Sequence, residues 1–198
     1  MEKELKSIIE QQIDATLACL RAVREDTALL SRVEKVVEVI VQALQRGNKL
    51  LLAGNGGSAA DAQHIAGEFV SRFMYDRPGL PAFALTTDTS ILTSVGNDYG
   101  FERVFERQVQ AVGVRGDVLW VYSTSGKSPN ILRAMRQARQ GGLTVIGFTG
   151  ERGWVEPDLC DIEIAVPSPE TPRIQEGHAM LGHIICGLVE ARIFPRTS

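Results

Sequence analysis

Apolar positions along this chain recur with two periods, and the switching between them lays out the fold. From about Leu5 to Leu30, the residues Leu5, Ile9, Ile13, Leu17 and Leu20 fall at helical spacing with charged residues between them. A second helix is expected from about Arg32 to Gln45, stopped by Arg46-Gly47-Asn48. Lys49–Ala53 is then a short, nearly continuous apolar run, as in a strand buried on both faces. Similar runs lie at Ala82–Leu85, Val118–Tyr122 and Thr144–Phe148, and a fifth, Ile162–Val166, alternates weakly as an edge strand would. Helical patterns separate the runs at Ala59–Phe73, Phe101–Val112 and Asn130–Gln140. A last helix is expected to open with Thr171 as N-cap and Pro172 at its first position, and to run to about Phe194.

Strand alternating with helix implies parallel strands covered on both faces. The expected class is α/β: a doubly wound, five-stranded parallel sheet flanked by helices, with an N-terminal helical extension. The whole of 1–198 reads as one domain, with 1–47 forming the N-terminal helices and 48–198 the α/β core. Ligands of such folds bind beyond the C-terminal ends of the strands, where the informative loops of this sequence fall.

Composition narrows the function classes. A net charge of −3, with no local basic cluster, argues against a nucleic-acid surface. Cys19, Cys160 and Cys186 show no CxxC pairing and read as buried thiols of a reducing cytoplasm. Met1-Glu2-Lys3-Glu4 is charged with no apolar stretch after it, so no signal peptide is expected. No uninterrupted apolar run approaches the roughly 20 residues that span a membrane.

Two segments more than a hundred residues apart carry the chemistry. Gly54-Asn55-Gly56-Gly57-Ser58 follows the first strand and opens a helix, where free N–H groups and the helix dipole favour an anion or a sugar. A dinucleotide site fits less well, because the acidic residue expected at the end of the second strand comes late, at Asp88. His64 and Glu68, four apart on the same helix, share a face. The other segment holds Gln175, His178 and His183, so all three histidines of the chain lie in these two places. Gln175 and His183 stand about 80° apart on an ideal helix, with His178 about 60° to the other side of Gln175. Spacing therefore does not choose between the two histidines as partners of His64 and Glu68. A His–Glu–His set suits zinc or a similar divalent ion, while Gln is an unusual ligand.

Ser123-Thr124-Ser125-Gly126-Lys127-Ser128 ends like a nucleotide P-loop, but its first glycine position is Val121, so that reading fails. What remains is four hydroxyls and backbone N–H groups before a helix, a cradle for a phosphomonoester. Asn97-Asp98-Tyr99, after a short helical run from Asp88 to Val95, is either a sugar-binding loop or a plain polar one.

Ala53 through Glu68, with Ser123–Asn130 and Gln175–His178 through His183, resembles the signature blocks of the phosphoheptose isomerases of the sugar isomerase (SIS) superfamily. The resemblance runs over nearly the whole chain. It implies isomerisation of sedoheptulose 7-phosphate to D-glycero-D-manno-heptose 7-phosphate by a homotetramer. It also implies one zinc ion per subunit on His64, Glu68, Gln175 and His183. Phosphate would sit on Ser123, Thr124, Ser125 and Ser128, and Asn55, Gly56, Gly57, Ser58, Asn97, Asp98 and Gln175 would hold the sugar. Such an isomerisation needs a base at carbon and an acid/base at oxygen, for which Glu68 and His183 are the candidates. Two relatives within the superfamily compete: a protein that binds the replication initiator, and regulatory domains that sense phosphosugars. His183 and Ser125 favour the enzyme.

Overall fold

The computed structural model describes residues 2–196. Met1, at the start of the charged N-terminal run, and 197–198, at the end of the expected domain, lie outside the described residues. Two long helices come first, α1 (Glu2–Glu25) and α2 (Thr27–Gln45). The break between them is at Asp26 and not near Ser31, because Asp26 Oδ1 accepts the Leu29 N–H at 2.9 Å and caps α2. The α/β part then runs β1 (Leu50–Ala53), α3 (Gly57–Val70), β2 (Ala82–Ala84), α4 (Thr89–Tyr99), α5 (Val104–Val112), β3 (Val118–Tyr122), α6 (Pro129–Gly141), β4 (Thr144–Gly150), β5 (Ile162–Val166) and α7 (Thr171–Ile193).

The five strands pair in parallel in the order β2-β1-β3-β4-β5, so β5 is an edge strand, as its weak alternation implies. Side chains leave the strands alternately to two cores. Leu50, Leu52, Trp120, Tyr122, Ile146, Phe148, Ile164 and Val166 pack under α2, α3 and α7. Leu51, Ala53, Leu119, Val121 and Val145 pack under α5 and α6. Apolar residues at both phases of the period make the central strands read as continuous hydrophobic runs.

Three further boundaries differ from expectation. The helix expected over Phe101–Val112 is split: Gly100 turns with φ 89°, a 3₁₀ turn covers Phe101–Arg103, and α5 follows. The short helix after Asp88 runs on to Tyr99, so Asn97 and Asp98 sit in its last turn and not in a loop. Thr171 is not the cap of α7: Glu170 holds that place without a side-chain bond, and Thr171 is already helical.

Of the apolar stripe on α1, Leu5, Ile9, Ile13 and Leu17 remain exposed, while Cys19 and Val23 are buried against the rest of the chain. At the edge of the sheet opposite the loops, fully buried Asp117 joins the starts of β1 and β3. Its carboxylate accepts from Lys49 Nζ at 2.6 Å, Lys49 N at 3.0 Å, Val114 N at 2.8 Å and Asn48 Nδ2 at 3.1 Å. Burial alone raises its pKa, but the Lys49 ammonium and the amide donors outweigh that and hold it below its ordinary value. Asp117→Ala is expected to cost about 3 kcal/mol, because Lys49 and buried N–H groups lose their partner. With the folded pKa lowered, the carboxylate's contribution is complete above the unfolded value of about 3.9 and is lost as pH falls through the folded one. Denaturant unfolding across that acid range should show a shallower loss of stability in Asp117→Asn than in the natural chain.

Candidate active site

Strand order reverses between β1 and β3, which are direct neighbours with Ala53 in register with Val121. The loops that follow them therefore leave the sheet side by side, the crevice where doubly wound folds bind ligands. In the first loop, Gly56 has φ 56° and ψ −122°, a backbone region that excludes residues with a Cβ. A Cβ on Gly57 would stand 2.5 Å from Gln175 Nε2, so glycine here admits the α7 amide against the first turn of α3.

In the second loop the hydroxyls face one another. Ser123 Oγ lies 3.1 Å from Ser128 Oγ and 3.5 Å from Ser125 Oγ, and Lys127 N donates to Ser125 Oγ at 3.4 Å. Ser128 is the N-cap residue of α6, yet its hydroxyl makes no capping bond and stays with the other serines. Asn55, Ser58, Ser123, Thr124, Ser128 and Gln175 line one hollow of 230 Å³, joined by Tyr122 and Thr171. A larger apolar hollow of 550 Å³ lies against β2 between α4 and α5 and includes none of the expected site residues.

α3 and α7 start at this edge and descend together. Gly57 lies beside Gln175, and His64 lies beside His183 farther down both helices. The two Nε2 atoms are 2.7 Å apart, and Glu68 Oε1 is 3.5 Å from His64 Nε2. Unless one ring supplies the shared proton, both nitrogens aim lone pairs into the same space. His64, Glu68 and His183 place ligand atoms within 4.8 Å of one another, which makes them a suitable donor set for a divalent ion. Of the four ligands implied by the resemblance, these three converge, while the Gln175 amide stands at the hollow beside Gly57.

The structure separates the two C-terminal histidines. His178 is fully buried, its Nε2 3.0 Å from the Thr149 carbonyl oxygen, and Tyr122 and Phe148 pack around its ring. A carbonyl only accepts, so the proton is on Nε2; Nδ1 has no partner among the described residues. His183 instead faces His64, with the Phe73 ring stacked on it at 5.6 Å.

Asn97 and Asp98 are exposed on α4, with Asn97 Nδ2 donating to Asp98 Oδ1 at 2.8 Å, and line neither hollow. Residues missed in the sequence include Asn130, whose amide exchanges two hydrogen bonds with Asn55 at 2.8 and 3.0 Å, tying the two loops together. Asp61, one turn before His64, has a buried Oδ2 without a partner among the described residues, and burial lifts its pKa against the pull of His64. Its spacing of three and seven from His64 and Glu68 was the available signal.

A fold of this order hosts many functions, so the family is read from comparison with known proteins. Residues 11–150 match the SIS domain family. A phosphoheptose isomerase of Burkholderia pseudomallei is 60% identical over 194 residues, covering 98% of each chain. One from Aneurinibacillus thermoaerophilus is 54% identical over 190 residues, covering 96% of each. The solved structure of a phosphoheptose isomerase from Neisseria gonorrhoeae superposes with a TM-score of 0.88 at 39% identity, over 94% of this chain and 99% of that one. The chain belongs to the SIS domain family and, within it, to the phosphoheptose isomerases.

Burial holds the His178 pKa down to about 4, against an ordinary 6.5. Its contribution to stability is therefore present above 6.5 and is lost as pH falls toward 4. Urea midpoints measured over that interval should fall less steeply in His178→Gln, which cannot take up the proton.

Proposed function

We infer that this chain is an aldose–ketose isomerase, converting sedoheptulose 7-phosphate to D-glycero-D-manno-heptose 7-phosphate at the start of heptose-nucleotide biosynthesis. The observation that carries the reading is the meeting of His64 and His183 across 119 residues, with Glu68 beside them, on helices that begin at a hydroxyl-lined hollow.

The phosphate is taken up by Ser123, Thr124, Ser125 and Ser128, whose hydroxyls and loop N–H groups provide uncharged donors at the start of α6. Asn55, Gly56, Gly57, Ser58 and Gln175 face the sugar, with Asn97 and Asp98 assigned to it from the resemblance. Glu68 takes a proton from C1 of the ketose, giving a cis-enediolate, and returns it at C2. His183 moves a proton from O1 to O2, so the net change is one of position and the sugar is neither oxidised nor reduced. His64, Glu68 and His183 would hold one zinc ion per chain, with Gln175 as the fourth ligand the resemblance implies. Zinc bound there supplies a Lewis acid that polarises the carbonyl and stabilises the developing oxyanion. Three free thiols accord with a cytoplasmic location.

Exchange of the substrate C1 proton with solvent deuterium reports enediolate formation. Glu68→Gln is expected to slow it by about 10²–10⁴-fold, and His183→Gln to slow overall turnover comparably, while His178→Gln keeps far more activity. Elemental analysis after zinc reload should give one ion per chain, lost in the His64→Ala, His183→Ala double variant. Exchange at the natural rate in Glu68→Gln would remove Glu68 as the carbon base.

The exposed stripe of Leu5, Ile8, Ile9, Ile13 and Leu17 on α1 supports assembly as a homotetramer, since an apolar helix face of that length is stabilised by burial against another copy. Ile9→Lys with Ile13→Lys is expected to yield smaller species by light scattering. A tetramer that persisted in the double variant would place the interface elsewhere.

A further inference from the structure

Below the histidine pair, the segment that follows α3 is joined to α7 by a buried ion pair that the mechanism above does not use. Arg77 Nε lies 2.9 Å from Glu190 Oε1, and the side chains are 3% and 1% exposed. Every side-chain nitrogen and oxygen of the pair has a hydrogen-bond partner. Glu190 also accepts the Phe73 N–H at 2.9 Å and the Met74 N–H at 2.7 Å. Arg77 Nη2 donates to the Glu68 carbonyl at 2.8 Å, and Nη1 to the Phe69 carbonyl at 2.7 Å and the Pro78 carbonyl at 3.0 Å. The last carbonyls of a helix have no partner within it, and a cation there suits the dipole. Arg77 thus caps α3 at the residue that carries the catalytic carboxylate.

The same pair fixes a second catalytic group. Glu190 holds the backbone of Phe73, whose ring stacks on His183 at 25° between planes. A Cβ on Gly187 would stand 3.3 Å from that ring, so glycine leaves its seat on α7. His183, Gly187 and Glu190 follow one another at spacings of four and three, down one face of α7. One guanidinium–carboxylate contact therefore touches the main chain of Glu68 on one side and the support of the His183 ring on the other.

We propose that Arg77 and Glu190 are positioning residues for the isomerase: their buried pair sets where Glu68 and His183 stand relative to one another. The proposal rests on the isomerase reading for its kinetic consequence, but not for its structural one. Lysine cannot replace the arginine, because its ammonium lacks the planar fork that reaches Glu190 and the helix carbonyls together.

The test uses the full-length protein with Arg77→Lys, Glu190→Gln and Phe73→Leu. Val109→Ala, in the core on the other face of the sheet, serves as a comparator for lost stability. With three histidines in the chain, the His183 ring proton is readily assigned by NMR, and the Phe73 ring shifts it. In Arg77→Lys and Glu190→Gln that signal is expected to move toward its position in Phe73→Leu. Turnover should fall about 10- to 100-fold, as for a slight misplacement of reacting groups, with KM changed less than about threefold. Val109→Ala should keep the natural signal and kcat despite a lowered Tm. The proposal is overturned if the His183 signal stays at its natural position in both clamp variants, or if their kcat falls no further than in the comparator. The signal is read without substrate, which separates the two ideas. A natural chain inactive on sedoheptulose 7-phosphate whose variants still move the signal sinks the isomerase reading and keeps the clamp. An active natural chain whose variants leave the signal unmoved does the reverse.

Discussion

The structure turns on one constraint: parallel strands whose order reverses between β1 and β3 send the loops that follow these two strands out of the sheet side by side. Neither loop is a site alone. The glycine loop offers backbone N–H groups at a helix start, and the serine loop offers hydroxyls. Only the neighbouring exit of β1 and β3, locked by the paired amides of Asn55 and Asn130, makes them walls of one hollow. Because α3 and α7 pack beside each other on the same face of the sheet, the order of residues down each helix becomes the order of functions down the site. Uncharged donors come first, then imidazole and carboxylate, then Glu190 on α7, paired with Arg77 from the segment after α3.

Environment, more than residue type, divides the labour among the titratable groups. His178 and His183 are one and a half turns apart on α7 and differ in what surrounds them. One is sealed among Tyr122, Phe148 and a carbonyl, and burial keeps it neutral. The other faces a second imidazole and a carboxylate at the rim of the cluster. Glu190 shows the converse for a carboxylate: burial raises its pKa, but the Phe73 and Met74 N–H groups and Arg77 more than offset that, and it is held below its ordinary value. A buried charge with this many partners costs little to keep and a great deal to half-dismantle.

Much of this was legible along the chain. The five strands were found because runs such as Val118–Tyr122 are apolar at both phases of the strand period, and His64 with Glu68 because four residues make one helical turn. His178 and His183 were not separable, since both fall within a helical arc broad enough to face α3. Spacing on one helix says nothing about which flank is sealed by β4. Asn130 was hidden because its role is a cross-loop amide pair, and Arg77 because it acts through carbonyls at the end of a helix. Main-chain partners leave no periodicity to read. The break at Asp26 was misplaced because the apolar spacing continues past it, and a single hydrogen-bonding side chain decided the boundary.

The pairing of residue 64 with residue 183 also has a consequence for synthesis on the ribosome. When β1 through β4 have emerged, α3 already displays His64 and Glu68, but Ile65 and Phe69 lack the α7 residues Leu181, Ile185 and Val189 that share their core. Until α7 has cleared the exit tunnel, the nascent chain carries an open hydrophobic flank and only part of the His64–Glu68–His183 cluster. Such a chain exposes to chaperones the surface that α7 will later cover.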